Sequence, residues 1–492
     1  MRDTRRSNGG LSRRWDALRL LLVLAAAGLV AGCGGSDSDA DSGPPPPSQH
    51  FVSRPDLRPV PVSVLTPARH TAPGYVFLAP KKDVDQAGPL ILDDRGQVVW
   101  FDPLSTHGVT DFRVQTYSGK PVLTWWQGQS DKGIGDGHYV IMDDHYRQIA
   151  TVQAGNGLHG DIHEFLITPA NTALITVYRE IPYDLRPWGG ARQGKLDEGV
   201  VQELDIATGR VLFEWHSADH VDPSESYEPL PKDATPWDYF HVNSIDPDGG
   251  DRLLVSARHT HAVYAIRKSD GEIHWRLGGK QSDFRLGPGT RFAWQHDARR
   301  QPDGTVRVFD NAASEPGKAR SRVLVLRVDE GRRTATLVRS FIRSPPLLST
   351  SQGNAQLLPG GHLFVGWGSK PYATEFDRAG EMVFDLRFGA GRVDSYRAFR
   401  FPWTGRPTTR PTVALRTDGD RTTVYASWNG ATEVARWRIL AGPDAQHLSP
   451  AATAAKSGFE TKVAVNSDAE TFAVEALAAN RRVLGRSAAV DR

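Results

Sequence analysis

Three histidines open three segments of one kind: His163 in HEFLI, His241 in HVNSI and His296 in HDARR. An imidazole so placed can accept a proton from a hydroxyl, donate one to a leaving oxygen, or attack an electrophile itself. Asp161, Asp238, Asn243 and Asp297 stand beside them and are placed to fix ring tautomers. Arg113 and Asn354 occupy the matching points of two further segments. Three chemistries fit this set. The polar side chains can line a wet channel as satisfied hydrogen-bond partners. Three imidazoles can hold zinc or another borderline ion. Or they can handle an anionic group, with an arginine neutralising its charge.

These residues need a scaffold, and the chain supplies a repeating one. An apolar alternating strand, an Asp/Gly turn and a second strand recur in LILDDRGQVVWF (90–101), YVIMDDHYRQIATV (139–152) and VQELDIATGRVLFEW (201–215). They recur again in VYAIRKSDGEIHWRL (263–277), LVLRVDEGRRTATLV (324–338) and TEFDRAGEMVFDL (374–386). Period-two alternation across such turns predicts hairpins. A second hairpin precedes most of them, as in HEFLITPANTALITVYR and HVNSIDPDGGDRLLVSAR. Two hairpins make a four-stranded sheet, and six sheets at roughly 50 to 64 residues read as propeller blades. The expected fold is therefore all-β: a six-bladed propeller over 59–404, its first blade completed by SYRAFRF (395–401). In that fold the leading strands line a central channel, so the three histidines converge near one end. Residues 405–490 lack the repeat. Trp428, Trp437 and the late strand TFAVEALA predict a small fibronectin III or immunoglobulin-like sandwich, with a seventh blade as the rival reading.

Other polar residues are less telling. His259 and His261 share one face of a strand in SARHTHAVYAI, with Arg258 on the other face. His159 has glycine neighbours, which imply a loop rather than a helical zinc pair. Trp125, Trp126, Trp294 and Trp367 fit sheet packing first and an aromatic lining second. Asp310 and Asn311 of FDNA are placed to order a connection over the channel, and Arg320 and Arg322 follow within reach of an anion.

The chain starts with a basic stretch, the apolar run LLLVLAAAGLV and small residues ending at Cys33. That order describes a secretory signal peptide over 1–32 rather than a spanning helix. Cys33 is the one cysteine in the sequence, so no intramolecular disulfide or cysteine-ligated metal is available. Its setting resembles a bacterial lipobox, implying lipidation of Cys33 and a protein held outside the cytoplasm at the membrane. Each buried methylene of such a lipid contributes roughly 0.8 kcal/mol. Residues 33–58 read as a disordered, proline-rich tether. A net charge of +2 with no long basic block argues against nucleic acid. Thirteen tryptophans beside 48 glycines and 33 prolines favour short strands and turns over long helices.

LHGDIHEF, DYFHVNSID, LLVSARHTHAVYAI, FAWQHDARRQPDG, FDNA and GWGSKPY together resemble the arylsulfotransferase family, in the branch common in actinobacteria and fungi. The resemblance implies a propeller that moves a sulfuryl group from an aryl sulfate ester to a phenolic acceptor through a sulfated histidine. It implies no adenylyl-sulfate donor, and neither a cofactor nor a metal is expected. His241 and His296 match family histidines that steady the sulfate, and Arg320 or Arg322 takes the place of the family arginine. Where the family has its attacking histidine, this chain offers Asn354 and, further on, Tyr372 in GWGSKPYATEF. His163 then becomes the base or nucleophile. The alternative is a lipid-anchored propeller without transfer chemistry, acting in ligand binding or envelope scaffolding.

Overall fold

Hydrophobic alternation along the chain becomes six strand groups in a computed structural model, which describes residues 46–105, 108–312, 320–419 and 421–492. The leader and Cys33 lie outside the described residues. Among the described residues there is no α-helix, and no helix long and apolar enough to cross a membrane. The architecture is all-β and propeller-like.

The first group joins Tyr75–Leu78, Leu90–Leu92 and Val98–Phe101 to the late strand Phe399–Phe401, which pairs antiparallel with Tyr75–Leu78. The second holds Val109–Tyr117, Lys120–Asp131, Ile134–Met142 and Gln148–Val152. The third holds Gly160–Ile167, Thr172–Tyr183, Gly194–Asp205 and Val211–His216. A single pairing, Gly137 with Gly160, links these two into one eight-stranded sheet. The fourth runs from Val242–Pro247 to Ile273–Gly278 and the fifth from His296–Arg300 to Thr334–Phe341. The sixth runs from Asn354–Leu357 to Met382–Phe388, with Val62–Thr66 added at its outer edge.

Each group buries its faces against its neighbours. Leu174, Val201, Val255 and Tyr264 share one core between the third and fourth groups. Trp275 and Val263 meet Val308 and Leu324 between the fourth and fifth. Leu90 and Val76 meet Phe364 and Phe384, so the sixth group packs on the first. The leading strands are also tied laterally. Ala298 N–H donates to Ser244 Oγ at 3.0 Å, and Ala355 N–H donates to Asp297 at 2.9 Å. The Asn354 amide makes two 2.9 Å bonds to the Ala398 backbone. Gly366 permits that last approach, since a Cβ there would meet Asn354 Oδ1 at 2.5 Å.

Behind the histidines the leading strands enclose a buried ionic knot. Glu164, wholly buried, accepts from Arg113 at 2.6 Å, Arg299 at 2.5 Å and Arg397 at 3.0 Å. Arg397 also reaches Asp111 at 2.9 Å. Burial alone would raise the Glu164 carboxyl, but Arg299, Arg397 and Arg113 together hold it well below the usual carboxylate range. Removing one partner of such a set strands the others. Glu164→Gln is therefore expected to destabilise the fold by about 3–5 kcal/mol, read as a shift in denaturant midpoint.

The C-terminal strands form a three-stranded sheet, Thr412–Asp418, Arg421–Ser427 and Glu460–Asn466, and a five-stranded sheet centred on Arg436–Gly442 and Thr471–Leu477. Val424 of the first and Trp437 and Phe472 of the second share one core. The tether expected over 33–58 does not extend that far. From Gln49 onward the segment is docked: Phe51 stacks on Phe459 at 4.2 Å, Ser53 bonds Ser427 at 2.7 Å, and Leu57 is buried. Apolar Phe51 and Leu57 gain more from burial than the chain loses in freedom.

Candidate functional site

His163 lies inside the strand Gly160–Ile167, behind Asp161. Its Nδ1–H donates to Asp161 Oδ2 at 2.5 Å. The same carboxylate accepts from His163 N–H at 3.1 Å, Thr176 Oγ at 3.1 Å and Gly135 N–H at 2.7 Å. Four donors fix the carboxylate, which fixes the ring and leaves Nε2 with its lone pair outward. No side chain among the described residues hydrogen-bonds that Nε2.

His241 directly precedes Val242–Pro247 in a left-handed conformation, φ 55°. Its Nδ1 donates to the Asp238 carboxylate, so it repeats the His163 arrangement. The two rings stand 4.9 Å apart at 81°. Burial first, then the neighbouring His163 and Arg258, pushes His241 well below the ordinary imidazole value, so it is neutral. His296 is also buried and neutral for the same first reason. Its Nδ1 bonds Asn311 Oδ1 at 2.8 Å, and its Nε2 accepts from Gln352 N–H at 3.2 Å. Tyr396 stands between, 5.5 Å from the His163 ring and 6.4 Å from that of His296. Three leading strands thus deliver their histidines to one neighbourhood.

The cation at this site is Arg258. Its guanidinium stacks on Trp294 at 4.4 Å, and Nη1 donates to His259 Nε2 at 2.6 Å. Nη2 donates to the Thr350 carbonyl at 3.3 Å, and the buried Nε has no partner. Among the described residues Arg258 has no carboxylate within ion-pair distance, unlike the knot arginines. Asp238 and Glu228 act on it only at longer range, and a partly buried guanidinium in no direct ion pair is a place for an anion. His259 is 4.5 Å from the His241 ring and donates Nδ1–H to the Asp238 carbonyl. His261 stacks flat on Tyr227 at 4.1 Å and sits 4.8 Å from Trp294.

Other sequence-expected residues lie elsewhere. Asn354 spends its amide on Ala398, as above. Tyr372 sits in the third strand of the sixth group beneath Arg343, 4.1 Å from its guanidinium. Arg322 pairs with Asp310 at 2.9 Å and donates to the Arg291 carbonyl at 2.9 Å. Arg320 is exposed at the end of a connection whose residues 313–319 are outside the described set. Asp310 caps that connection, accepting from Ala293 and Ala312 N–H. Trp125, Trp126 and Trp367 are buried in sheet packing, whereas half-buried Trp294 lines the site.

His261 gives a pH test. Burial first, then Arg258 and Lys280, lowers it to about 4. The unfolded chain takes up its proton near 6.5, so this contribution to stability is whole above 6.5 and lost as pH falls toward 4. His261→Phe, which keeps the stack on Tyr227, is expected to reduce the loss between pH 7 and pH 4.5. The difference is on the order of 2–3 kcal/mol in paired denaturant titrations.

The arylsulfotransferase (ASST) family model matches residues 113–389, more than half of the 492-residue chain, and spans His163, His241, Arg258 and His296. The chain belongs to the arylsulfotransferase (ASST) family. No curated protein matches the chain. Among solved structures, this arylsulfotransferase-family chain is similar to a protein of unknown function from Bacteroides caccae, at 13% identity and TM-score 0.41, over 67% of this chain and 100% of that one. It is also similar to a catalytically inactive virginiamycin B lyase from Staphylococcus aureus with quinupristin, at 9% identity and TM-score 0.34, over 75% and 97%. A third likeness is the β-propeller domain of Myceliophteria thermophila Cps50, at 12% identity and TM-score 0.32, over 66% and 98%.

Proposed function

We propose that this family member transfers a sulfuryl group between phenols, on a closed six-bladed propeller followed by a fibronectin III-like sandwich. The observation that carries this reading is the meeting of carboxylate-backed His163 and His241 with Arg258, a guanidinium in no direct ion pair. Arg258 neutralises the sulfonate oxygens of an aryl sulfate. His163 Nε2 attacks sulfur, the S–O bond to the aryl group breaks, and the phenolate leaves with that electron pair and takes a proton from solvent. Asp161 offsets the positive charge on the sulfated ring. In the second half-reaction the acceptor phenol passes its proton to His241 Nε2 and attacks sulfur, breaking the N–S bond. His241 then releases the proton to solvent. His296 and Tyr396 hold the geometry from the third side. Lipidation of Cys33 would keep this chemistry at the outer face of the membrane.

The test is incubation with 4-nitrophenyl sulfate with and without a phenol acceptor. Acceptor-dependent nitrophenol release that vanishes in His163→Ala and His241→Ala supports the reading. Release unchanged in both variants removes the site as its source. A second reading rests on the Asp238, His241 and His259 ligand atoms, which lie within 4.8 Å of one another and could hold a divalent ion. Under it, exhaustive chelation abolishes turnover; under sulfuryl transfer by His163 it does not.

A further inference from the structure

The far ends of the leading strands enclose a separate cavity of about 750 Å³. His163 is four residues from Ile167, on this cavity's wall, a strand distance of about 13 Å. The same order holds elsewhere: Asp246 follows His241, and Arg299 follows His296, each toward the cavity. The ionic knot of Glu164, Arg397 and Asp111 fills the space between the two ends. Nothing in the proposed transfer chemistry uses the cavity.

Its wall combines apolar and charged residues. Leu166, Ile167, Leu357, Phe399 and Phe401 are the apolar ones. Arg113, Arg299, Arg300 and Arg307 are the cations of the wall, with Asp246 and Asp297. Three of these arginines hold a carboxylate at short range. Arg113 and Arg299 bond Glu164, and Arg300 bonds Asp248 at 2.5 Å. Arg307 is different. It is 6% exposed, Nη1 donates to Gln301 at 2.8 Å, Nε has no partner, and Nη2 comes no nearer than 4.0 Å to Asp297. Asp297 is already taken by Arg299 at 2.8 Å and by the Ala355 amide. Asp246 is held by Arg300 N–H at 2.8 Å.

A buried guanidinium short of acceptors, in a cavity also lined by aromatic and aliphatic side chains, matches one ligand type. We infer that this cavity is a second binding site, distinct from the histidine site, for a small organic carboxylate with an apolar body. The carboxylate pairs with Arg307 and the apolar body lies against Phe399, Phe401 and Leu357.

Benzoate is the probe, titrated calorimetrically into the full-length protein, with acetate and sulfate as controls. One saturable site for benzoate is expected, with acetate at least about tenfold weaker for want of the apolar contact. Leu357 is 45% exposed at the rim, so Leu357→Glu leaves the core intact while placing a charge against the ligand's apolar body. It is expected to weaken benzoate about tenfold or more, as is Arg307→Gln, while His241→Ala leaves binding unchanged. No saturable benzoate binding to the unaltered protein overturns the inference. So does binding that survives both Leu357→Glu and Arg307→Gln, or that is lost in His241→Ala. The result does not depend on sulfuryl transfer, since none of its readings is an activity.

Discussion

Arg258→Leu is expected to lower turnover of 4-nitrophenyl sulfate by about 100- to 1,000-fold without lowering the melting temperature. The size follows from losing one preorganised cation at the group that carries the transferred charge. The unchanged stability follows from the absence of a direct ion pair, since Asp238 is held by His241 as well and Glu228 is partly exposed. An arginine in a buried pair leaves its carboxylate stranded when removed, as Arg397 would leave Asp111 and Glu164. Arg258 leaves without hydrogen bonds only a neutral imidazole and a carbonyl, and leucine still packs on Trp294. Steady-state kinetics and thermal denaturation on the same preparation separate the two effects. Loss of rate together with a large loss of stability would instead mark Arg258 as structural.

His163→Ala carries the larger expected loss, about 10,000-fold or more, because it removes the attacking nitrogen itself. Asp161→Asn is expected to lose about 100- to 10,000-fold while the ring remains, since the tautomer and the charge behind it change. His241→Ala adds a second signature. His241 is neutral well below pH 6.5, so discharge of the sulfated enzyme by acceptor is expected to stay level as pH falls through 6.5. A profile that drops with an apparent pKa near 6.5 would show an ordinary, exposed imidazole at work instead.

Much of the scaffold was legible in the sequence because β-hairpins announce themselves locally. All six Asp/Gly turn phrases become the third and fourth strands of their groups, and SYRAFRF supplies the strand that joins the first. The tether was misread past Gln49 because docking of Phe51 on Phe459 joins residues far apart in sequence. The histidines were found because they repeat in register with the strands. Arg258 was not, since alternation alone put it opposite His259. The left-handed turn at His261 and stacking on Trp294 bring it back to the imidazoles. One local signal was available: no acidic residue occurs between Arg252 and Ser269, so Arg258 has no counter-ion nearby in the chain. Arg322 had the opposite fate, paired with Asp310 twelve residues earlier.

The most direct measurement is peptide mapping after rapid quenching of the protein with 4-nitrophenyl sulfate in the absence of acceptor. A sulfuryl adduct on the imidazole of His163, discharged when phenol is added and missing in Arg258→Leu, is the predicted result. Acceptor-dependent turnover with the adduct on another residue, or with no adduct at all, would contradict it.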